Sequence, residues 1–345
     1  MPNSLCETRI DWTTTTTLSQ RLERWKCQCS SSSRLVVDEP LCRRSSLRIG
    51  GPARWWIEVG AIDDLLSLLA ELADEEFHCV GLGSNTLFPD GGVEAPVVRL
   101  VDELAAWSIK EDGASGRAKV EVMAGSINAH LVRGLLARGL VGAEFLTLIP
   151  GTFGGAVALN AGTKERELEE ILESVLVARP DKQQGCWHIE RWTPAELSMS
   201  YRKARLPEGS VVVGGVIAVE EGDVEGARQR MADDKERRNQ TQPYRLASVG
   251  STFANPEGDY AGRLIEEAGL KGESIGGARI SEVHGNFFIN ESEATAEDFL
   301  GLMALARHRV RRDFGVDLRP EVKFVGFDGM KRLGELEREL GRSDD

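Results

Sequence analysis

The alternation of apolar and polar residues becomes regular from about residue 45 onward. "ARWWIEVG" predicts a strand, and "IDDLLSLLAELADE" predicts a helix because its apolar residues recur at helical spacing and two aspartates occupy its first turn. "FHCVGLG" predicts a second strand. Two strands joined by a helix form a βαβ unit, in which the strands run parallel. We therefore expect a parallel pair of strands at the start of the regular region.

The same patterns predict the elements of the rest of the chain. Strands are predicted at "PVVRLV", "AKVEVMAG", "ESVLVAR", "SVVVGGVIAVEEG", "GNFFIN" and "LRPEVKFVG". Helices are predicted at "NAHLVRGLLARGL", residues 223–239, "YAGRLIEEAGL" and "TAEDFLGLMALARHRVRRDFG". Thr295 and Asp298 have the spacing of a capping arrangement for the last helix. The order of elements indicates a mixed α/β chain with a joint near residues 220–245.

The two ends of the chain have a different pattern. Residues 1–44 contain the runs "TTTTT" and "SSSS" and no sustained periodicity, so we expect a flexible N-terminal extension. Residues 327–345 are rich in charge, and we interpret them as a charged terminal helix or tail.

Composition limits the classes of function. A chain of 345 residues, 41% of them apolar, is long enough for two or three packed units. Its net charge of −13 argues against nonspecific nucleic-acid binding, and no apolar run is long enough to span a membrane. The six cysteines lack the spacing of a metal site. We expect a cytoplasmic protein with reduced thiols and no metal.

Two glycine-rich stretches are candidates for holding a phosphate. "GLGSNTLF" (81–88) follows a predicted strand, and "IPGTFGGAVALNAG" (149–162) combines glycines with buried-type aliphatic residues. Backbone N–H groups at small residues can approach a phosphate closely. The first stretch is not the dinucleotide fingerprint G-x-G-x-x-G, and plain turns or helix–strand packing also explain such glycines. Together they favour a large cofactor that carries phosphate.

"GSTFANP" (250–256) is the most unusual short stretch. Its glycine and proline are typical of a loop, and the nucleophile pattern G-x-S-x-G is absent from it. Ser251 is therefore either a turn residue or a serine that donates a proton. Other candidates also have ordinary explanations: Tyr201–Arg202 as a surface pair, Glu321 as a strand-end carboxylate, His284 as a structural hydrogen-bonding group, and Lys235, Arg237 and Arg238 as a solvated helix face.

Read in order, these motifs resemble one family. "LRIGGPA", "GLGSNTLF", "IPGTFGGAVALNAG", "YR", "GSTFANP", "AGRLIEEAGLKG", "IGGARISEVHGNFFIN" and "PEVKFVG" are similar to the UDP-N-acetylenolpyruvoylglucosamine reductases over about residues 45–326. The short stretch between Arg202 and Ser251 resembles the short-loop (type II) subclass, which lacks an additional tyrosine-bearing loop.

The resemblance implies an α+β fold and a reaction. Residues 45–222 are expected to form an FAD-binding domain of the vanillyl-alcohol-oxidase (PCMH) type, built of two α/β subdomains, and residues 223–326 an α+β substrate-binding domain. The implied enzyme uses NADPH and FAD to reduce UDP-N-acetylglucosamine enolpyruvate to UDP-N-acetylmuramate for peptidoglycan synthesis. Its partner is this small molecule, and we expect a monomer.

The resemblance also implies roles for individual residues. Ser251 is expected to donate the proton, Arg202 to bind the substrate carboxylate, and Glu321 to be a catalytic glutamate with a raised pKa. The expected cofactor-binding residues are Arg48, Ile49, Gly50, Gly81, Gly83, Ser84, Asn85, Thr86, Pro150, Gly151, Thr152, Gly154, Gly155, Asn160 and Gly162. The expected substrate-binding residues are Tyr201, Arg238, Asn255 and His284.

Three departures from the family pattern leave alternatives open. Residues 163–166 replace the usual small and aromatic residues, Ala204 and Leu206 follow "YR" where Ser and Phe are common, and Ala254 replaces a lysine. Arg237 or Arg238 is a candidate replacement for that lysine. A flavin-binding relative without catalysis, which would regulate wall synthesis, is one alternative. Another oxidoreductase of the same fold is the second.

Overall fold

The structure is a computed structural model that describes residues 17–111, 116–163, 166–181 and 186–343. Its chain divides into two compact units. Unit 1 comprises Met1–Val36, Trp56–Gly81 and Val97–Met231, and unit 2 comprises Val37–Trp55, Leu82–Pro96 and Ala232–Asp345. The chain passes from unit 1 to unit 2 for the last time after Met231, inside the interval where the sequence predicts a joint.

The described residues contain both helices and strands throughout. The helices are α1 (Leu18–Gln28), α2 (Ile62–Glu71), α3 (Asn128–Leu136), α4 (Phe153–Ala158), α5 (Val224–Thr241), α6 (Ala261–Glu267), α7 (Ala296–Phe314) and α8 (Gly329–Ser343). The strands are β1 (Arg34–Pro40), β2 (Pro52–Val59), β3 (His78–Cys79), β4 (Thr86–Leu87), β5 (Val97–Leu100), β6 (Trp107–Glu111), β7 (Arg117–Met123), β8 (Leu140–Val141), β9 (Leu172–Asp181), β10 (Cys186–Trp192), β11 (Val211–Glu221), β12 (Ala247–Ser251), β13 (Ser274–Ile275), β14 (Ala278–Ile280), β15 (Phe287–Asn290) and β16 (Lys323–Phe324).

The predicted parallel arrangement is confirmed, with one correction to the pairing. The first sheet has the order β1-β2-β5-β3, and both β2 and β3 run parallel to β5. The strands on either side of α2 are therefore parallel to each other, but β5 lies between them. The βαβ pattern predicts that β2 and β3 run in the same direction. It does not predict that β5, about 20 residues further along the chain, lies between them.

The expectation of a flexible extension does not hold for the described residues of 1–44. Thr17 caps α1, and Leu22 and Trp25 of that helix are buried. The Trp25 indole N–H donates to the Asp64 carbonyl of α2 at 3.0 Å, and the Asp64 carboxylate accepts hydrogen bonds from Ser30 and Ser33. Buried apolar residues of both helices and the buried Asp64 carboxylate thus hold α1 against α2, although low-complexity runs flank α1 in the sequence.

The larger sheet of unit 1 is antiparallel. Its order is β10-β9-β11-β7-β6, and β8 also pairs with β11. β11 lies in the middle and is buried along most of its length, which explains its nearly continuous apolar sequence. Its Gly215 is required because a Cβ there would lie 2.6 Å from the Ser174 carbonyl oxygen and 3.2 Å from the Phe153 ring. α4 therefore packs closely on this sheet.

Unit 2 has its own sheet and core. The sheet order is β12-β15-β14-β13, antiparallel throughout, and β16 pairs with β4 in parallel. Phe253, Phe288 and Phe299 meet edge to face at the centre of the core, with ring centroids 5.8 and 5.9 Å apart. The Thr295–Asp298 capping box of α7 is confirmed by a bond from the Asp298 N–H to the Thr295 hydroxyl of 3.0 Å.

The terminal segment is a helix, so the alternative of a charged tail is excluded for residues 329–343. Its Leu333 is 1% exposed and belongs to the unit 2 core. Glu337 forms an ion pair with Arg307 of α7, and both side chains are 13% exposed. The charges therefore lie on one face of an amphipathic helix that packs against α7. No helix among residues 17–343 that the structure describes is long and apolar enough to cross a membrane.

Candidate active site

The first glycine-rich stretch forms a tight turn in unit 2. Gly83 has φ +65°, and a Cβ on it would lie 2.1 Å from the Arg44 carbonyl oxygen, so only glycine fits. Asn85 lies beside β16: its carbonyl accepts the Lys323 N–H at 3.0 Å, and its side-chain amide donates to the Glu321 carbonyl at 3.1 Å. The Asn85 Oδ1 atom is buried and has no hydrogen-bond partner among the described residues. An unused acceptor beside bare backbone suits a ligand rich in hydroxyl or N–H groups, as FAD is.

The neighbouring candidates have the same character. Arg48 has φ +58°, and Gly50 has φ +134° with its missing Cβ directed at the Phe88 side chain, 2.7 Å away. Ile49 is 2% exposed. Ser84 follows Gly83, and Thr86 begins β4. Both segments, Arg48–Gly50 and Gly83–Thr86, thus lie in unit 2, and each contains a glycine at positive φ.

The second glycine-rich stretch lies in unit 1. Thr152 caps α4, accepting the Gly155 N–H at 3.4 Å, and Gly154 donates its N–H to the Ala124 carbonyl at 2.8 Å. A Cβ on Gly154 would lie 2.8 Å from that of Ala124. Gly81, the last residue of its segment in unit 1, would bring a Cβ to 2.6 Å from the Thr152 hydroxyl. The exposed Pro150 and the half-buried Gly151, which has φ +141°, form the turn before the helix.

Asn128 supports this turn, and sequence reasoning missed it. It is 1% exposed, its N–H donates to the Gly151 carbonyl at 3.2 Å, and its amide donates to the Ile149 carbonyl at 3.1 Å. Its Oδ1 atom is buried without a partner among the described residues. The short pattern "SIN" before a helix gives no signal of this contact, because the partner lies more than 20 residues away.

The end of the second stretch is a hub of hydrogen bonds. Asn160 is fully buried at φ +40°, and its amide donates to Glu167 Oε2 at 2.9 Å and to the Ser200 carbonyl at 3.3 Å. Gly162 pairs with Glu167 as an isolated antiparallel bridge. A Cβ on Gly162 would lie 2.5 Å from the Arg166 carbonyl oxygen, so glycine is required. Lys164 and Glu165, part of the unusual segment 163–166, lie outside the described residues.

Arg202 is held beside this hub by a two-residue turn. Ser200 and Lys203 exchange two backbone hydrogen bonds of 2.9 Å, and Arg202 between them has φ +57°. Its Nη2 donates to the Gly162 carbonyl at 2.8 Å, and its guanidinium carbon lies 5.0 Å from the Tyr201 ring centroid. Non-glycine residues rarely adopt such φ values, and they persist where the surroundings enforce them. Tyr201–Arg202 is therefore a built turn and not a loose surface pair.

The "GSTFANP" segment ends β12 in unit 2. The pairing of β12 with β15 shifts register between Ser248 and Ser251, at Gly250 with φ +76°, and Ser251 then pairs with Phe287. A bulge of this kind redirects the side chains that follow it. Ser251 is half-buried, whereas Thr252 is fully buried and its hydroxyl has no partner within the described part of the chain.

Asn286 fixes this segment, and sequence reasoning also missed it. Its backbone carbonyl accepts the Thr252 N–H at 2.9 Å. Its side chain, which is buried, accepts the Phe253 N–H at 2.9 Å and donates to the Phe253 carbonyl at 2.8 Å. One asparagine therefore supplies three hydrogen bonds to the two residues after Ser251. The sequence signal was available as the Asn within "HGNFFIN", but its partner is 33 positions away.

Glu321 lies on the segment adjacent to this one. Its N–H donates to the Thr252 carbonyl at 2.9 Å, Ala254 donates to the Arg319 carbonyl at 2.9 Å, and Phe253 pairs with Pro320 as an antiparallel bridge. Burial lowers the pKa of the Lys323 amine, and the Arg319 charge adds to this while Glu321 opposes it. The charges of Arg319 and Glu321 therefore act on Lys323 from nearby positions of the same segment. The predicted rise in the Glu321 pKa stays a prediction.

The remaining candidates for substrate binding also have structural contacts. The Asn255 side chain accepts the Ala261 N–H at the start of α6 at 3.1 Å, and Arg238 donates to the Tyr244 hydroxyl at 2.8 Å. His284 Nδ1 accepts the Asn286 N–H at 3.1 Å. Burial lowers the pKa of His284, the charge of Lys271 adds to this, and Glu266 opposes it. His284 is therefore neutral at pH 7 and orients Asn286.

Unit 2 thus brings together Asn85, Ser251 and Glu321, and unit 1 brings together Asn160, Gly162 and Arg202. Among the described residues no group of three or more histidine, cysteine or acidic side chains could hold a metal.

Comparison with known proteins finds relatives that match most of the chain. Residues 242–325 match the family model of the UDP-N-acetylenolpyruvoylglucosamine reductase C-terminal domain, and residues 56–182 match an FAD binding domain. The chain is 40% identical over 307 residues to a UDP-N-acetylenolpyruvoylglucosamine reductase of Anaeromyxobacter sp. (strain Fw109-5), covering 88% of this chain and 92% of that protein. It is 42% identical over 291 residues to the reductase of the same name from Myxococcus xanthus, covering 84% and 91%.

A solved structure is also similar. The UDP-N-acetylenolpyruvylglucosamine reductase of Thermus caldophilus superposes with a TM-score of 0.68 at 35% sequence identity, covering 85% of this chain and 98% of that one. The buried Oδ1 atoms of Asn85 in unit 2 and of Asn128 in unit 1, which have no partner among the described residues, suit the FAD that the match to an FAD binding domain implies. On these similarities, which extend over most of its length, the chain belongs to the UDP-N-acetylenolpyruvoylglucosamine reductase family of FAD-containing oxidoreductases.

Proposed function

We propose that the protein uses NADPH to reduce UDP-N-acetylglucosamine enolpyruvate to UDP-N-acetylmuramate, with Ser251 as proton donor, Arg202 as carboxylate-binding group and Glu321 as the second acid. The main observation in favour of the proposal is that hydrogen bonds fix the backbone that follows Ser251. Asn286 fixes the two residues that follow the serine, and Glu321 lies on the adjacent segment, one hydrogen bond from Thr252. The segment after Ser251 is thus bonded to a buried asparagine and to the backbone of a residue that carries a carboxylate, which is more than an ordinary turn requires.

The chemistry of the substrate explains why a serine can serve. When bound, FAD supplies the hydride. Addition to the terminal carbon of an enolpyruvyl double bond leaves negative charge on the neighbouring carbon and on its carboxylate. That carbon is strongly basic, so a hydroxyl at hydrogen-bond distance can protonate it even though serine is a poor acid in water. Ser251, redirected by the bulge at Gly250, supplies that hydroxyl.

Arg202 has the properties of a group that receives the substrate carboxylate. A guanidinium stays charged and can bind a carboxylate through two parallel hydrogen bonds. The αL turn and the bond to the Gly162 carbonyl fix Arg202 in advance, so little reorganisation accompanies the reaction. Fixed positive charge where negative charge develops lowers the barrier.

The third residue proposed to take part in catalysis is Glu321. A carboxylate close to an anionic substrate repels it unless the carboxyl is protonated or shielded by a cation. The charges of Arg319 and Glu321 both act on the Lys323 amine. We propose that Glu321 avoids this repulsion by being protonated, as its predicted raised pKa would allow, or by being shielded by Arg202.

Each unit, taken by itself, contains residues proposed to hold FAD. In unit 2 these are the Arg48–Gly50 and Gly83–Thr86 segments, where bare backbone and the unused Asn85 acceptor are available. In unit 1 these are the Gly81 backbone, the Pro150–Gly155 turn, and Asn160 with Gly162. Tyr201, Arg238, Asn255 and His284 are proposed to contribute to binding of the UDP-sugar. We further propose that the protein acts in the cytoplasm as a monomer.

Anaerobic half-reactions test the proposal. The purified, FAD-loaded protein is mixed first with NADPH and then with UDP-N-acetylglucosamine enolpyruvate while the flavin absorbance is followed. We expect bleaching by NADPH and rapid recovery on addition of the UDP-sugar. Bleaching without recovery would indicate a flavoprotein with another electron acceptor. Failure to load FAD would indicate a relative without catalysis.

A further inference from the structure

Glu167 occupies a position between the groups that hold Arg202. Its carboxylate accepts the Asn160 amide at 2.9 Å, and the same amide donates to the carbonyl of Ser200, which opens the Arg202 turn. Its backbone pairs with Gly162, whose carbonyl accepts the Arg202 guanidinium at 2.8 Å. Glu167 is thus linked to Arg202 itself through Gly162, and through Asn160 to Ser200 of the turn that carries Arg202.

The backbone of Glu167 is also fixed from the other side. Its N–H donates to the Glu170 carboxylate at 2.7 Å, which closes a capping box around the 3-10 turn Leu168–Glu170. Leu168, the next residue, is fully buried, and its N–H donates to the Ala161 carbonyl at 3.1 Å. The backbone from which the carboxylate reaches Asn160 is therefore fixed on both sides.

The charge of Glu167 matters beyond these hydrogen bonds. Burial raises the pKa of this carboxyl, and the positive charge of Arg202 is the largest influence that opposes the rise. A half-buried carboxylate close to a guanidinium interacts with it more strongly than an exposed pair does. Asn160 alone could be satisfied by a neutral acceptor, so the carboxylate has a second use.

We propose that Glu167 is a positioning residue for Arg202, and that its negative charge holds the guanidinium in the orientation that receives the carboxylate of the substrate. The proposal rests on the role of Arg202 proposed above. Glu167 itself is not expected to touch the substrate. Its effect is confined to the step in which the enolpyruvyl group is reduced, because reduction of the flavin does not involve that carboxylate.

The test compares Glu167→Gln in two backgrounds. Glutamine keeps the size of the side chain and an oxygen for the Asn160 amide but removes the charge. In the wild-type background we expect reoxidation of the reduced flavin by UDP-N-acetylglucosamine enolpyruvate to slow about tenfold, within the range of couplings between interacting charged residues. In an Arg202→Lys background, whose ammonium lacks the planar fork, the same change is expected to slow it less than about twofold.

Two controls isolate the charge. Glu169→Gln makes the same substitution two residues away, at a position whose backbone N–H bonds Asn160 Oδ1 at 3.1 Å, and it should leave the rate nearly unchanged. The affinity of Glu167→Gln for UDP-N-acetylglucosamine, which lacks the carboxylate, should equal that of the wild type. Equal slowing in both Arg202 backgrounds, or no slowing in either, would overturn the positioning role. A wild type that the UDP-sugar does not reoxidise would overturn the proposed function and this inference with it.

Discussion

The two groups of candidate residues are held in place by different means. In unit 1, the arginine region (Asn160, Gly162, Glu167 and Arg202) depends on side-chain hydrogen bonds, a nearby charge and two residues with positive φ. In unit 2, the serine region (Ser251, Thr252, Phe253, Asn286 and Glu321) depends mainly on backbone hydrogen bonds and a buried aromatic core.

The difference follows from what each region has to do. The guanidinium that binds a carboxylate lies at the end of a long side chain with several rotatable bonds, so charged and hydrogen-bonding neighbours are needed to restrict it. The side chain of serine is short, so fixing the backbone is nearly sufficient to place its hydroxyl. The comparison therefore predicts that charge-removing changes affect the arginine region most, and that loss of backbone partners affects the serine region most.

Ser251→Ala is expected to have the largest effect. Loss of a positioned general acid costs about 10²–10⁴-fold in rate, so reoxidation of the flavin by the UDP-sugar should slow by that factor. Reduction by NADPH should be unaffected, because the hydroxyl has no part in it. Stopped-flow absorbance of the two half-reactions measures both rates.

Thr252→Val is the matched control for that variant. It removes the adjacent hydroxyl, which is buried and has no partner among the described residues, while keeping the shape of the side chain. Its rates should stay close to those of the wild type. Equal losses in Ser251→Ala and Thr252→Val, or loss of both half-reactions in Ser251→Ala, would contradict the role of Ser251.

Asn286→Ala tests how the serine region is held. It removes the two side-chain hydrogen bonds to Phe253, and each unsatisfied buried backbone group costs about 1–3 kcal/mol, so the free energy of unfolding should fall by about 2–6 kcal/mol. Urea unfolding measures the change. Asn239→Ala, at an exposed position of α5, should change it by less than about 0.5 kcal/mol. A small loss in Asn286→Ala would show that the asparagine does not fix the segment.

Lowering the pH should change the stability of the two regions in opposite directions, and this is the smallest of the predicted effects. The pKa of His284 in the fold is below its ordinary 6.5, so the unfolded chain takes up the proton first and stability falls as the pH drops below 6.5. The pKa of Glu167 in the fold is above its ordinary 4.5, so the native state takes up the proton first and stability rises as the pH drops toward 4.5.

Hydrogen exchange of the backbone amides distinguishes the two responses. Protonated His284 can no longer accept the Asn286 N–H, so protection of Thr252 and Phe253 should fall as the pH drops below 6.5, after correction for intrinsic exchange. His284→Gln should remove that dependence, and Glu167→Gln should remove the opposite one near Leu168. The same slope in both regions would contradict the contrast.

The sequence was sufficient to predict features that depend on near neighbours. The capping box at Thr295 and Asp298, the amphipathic α7 and the glycine turn at Gly83 are encoded within a few residues, and the structure contains them. The motif order also indicated the correct family. These features need no knowledge of which distant segments meet.

What the sequence could not provide depends on distant contacts. Asn128 and Asn286 are single polar residues whose partners lie 21 or more positions away, so their local sequence does not reveal what they bind. The insertion of β5 between β2 and β3 has the same origin. α1 was missed because its fixation depends on Asp64, which binds residues about 31 to 34 positions earlier in the chain.

Identification of the product tests the central claim most directly. The protein is incubated anaerobically with NADPH and UDP-N-acetylglucosamine enolpyruvate, and the nucleotide sugars are analysed by mass spectrometry. The account predicts that the UDP-sugar gains two hydrogens, with one NADPH consumed for each molecule converted, and that Ser251→Ala forms almost none. Consumption of NADPH while the mass of the UDP-sugar stays unchanged would contradict the account.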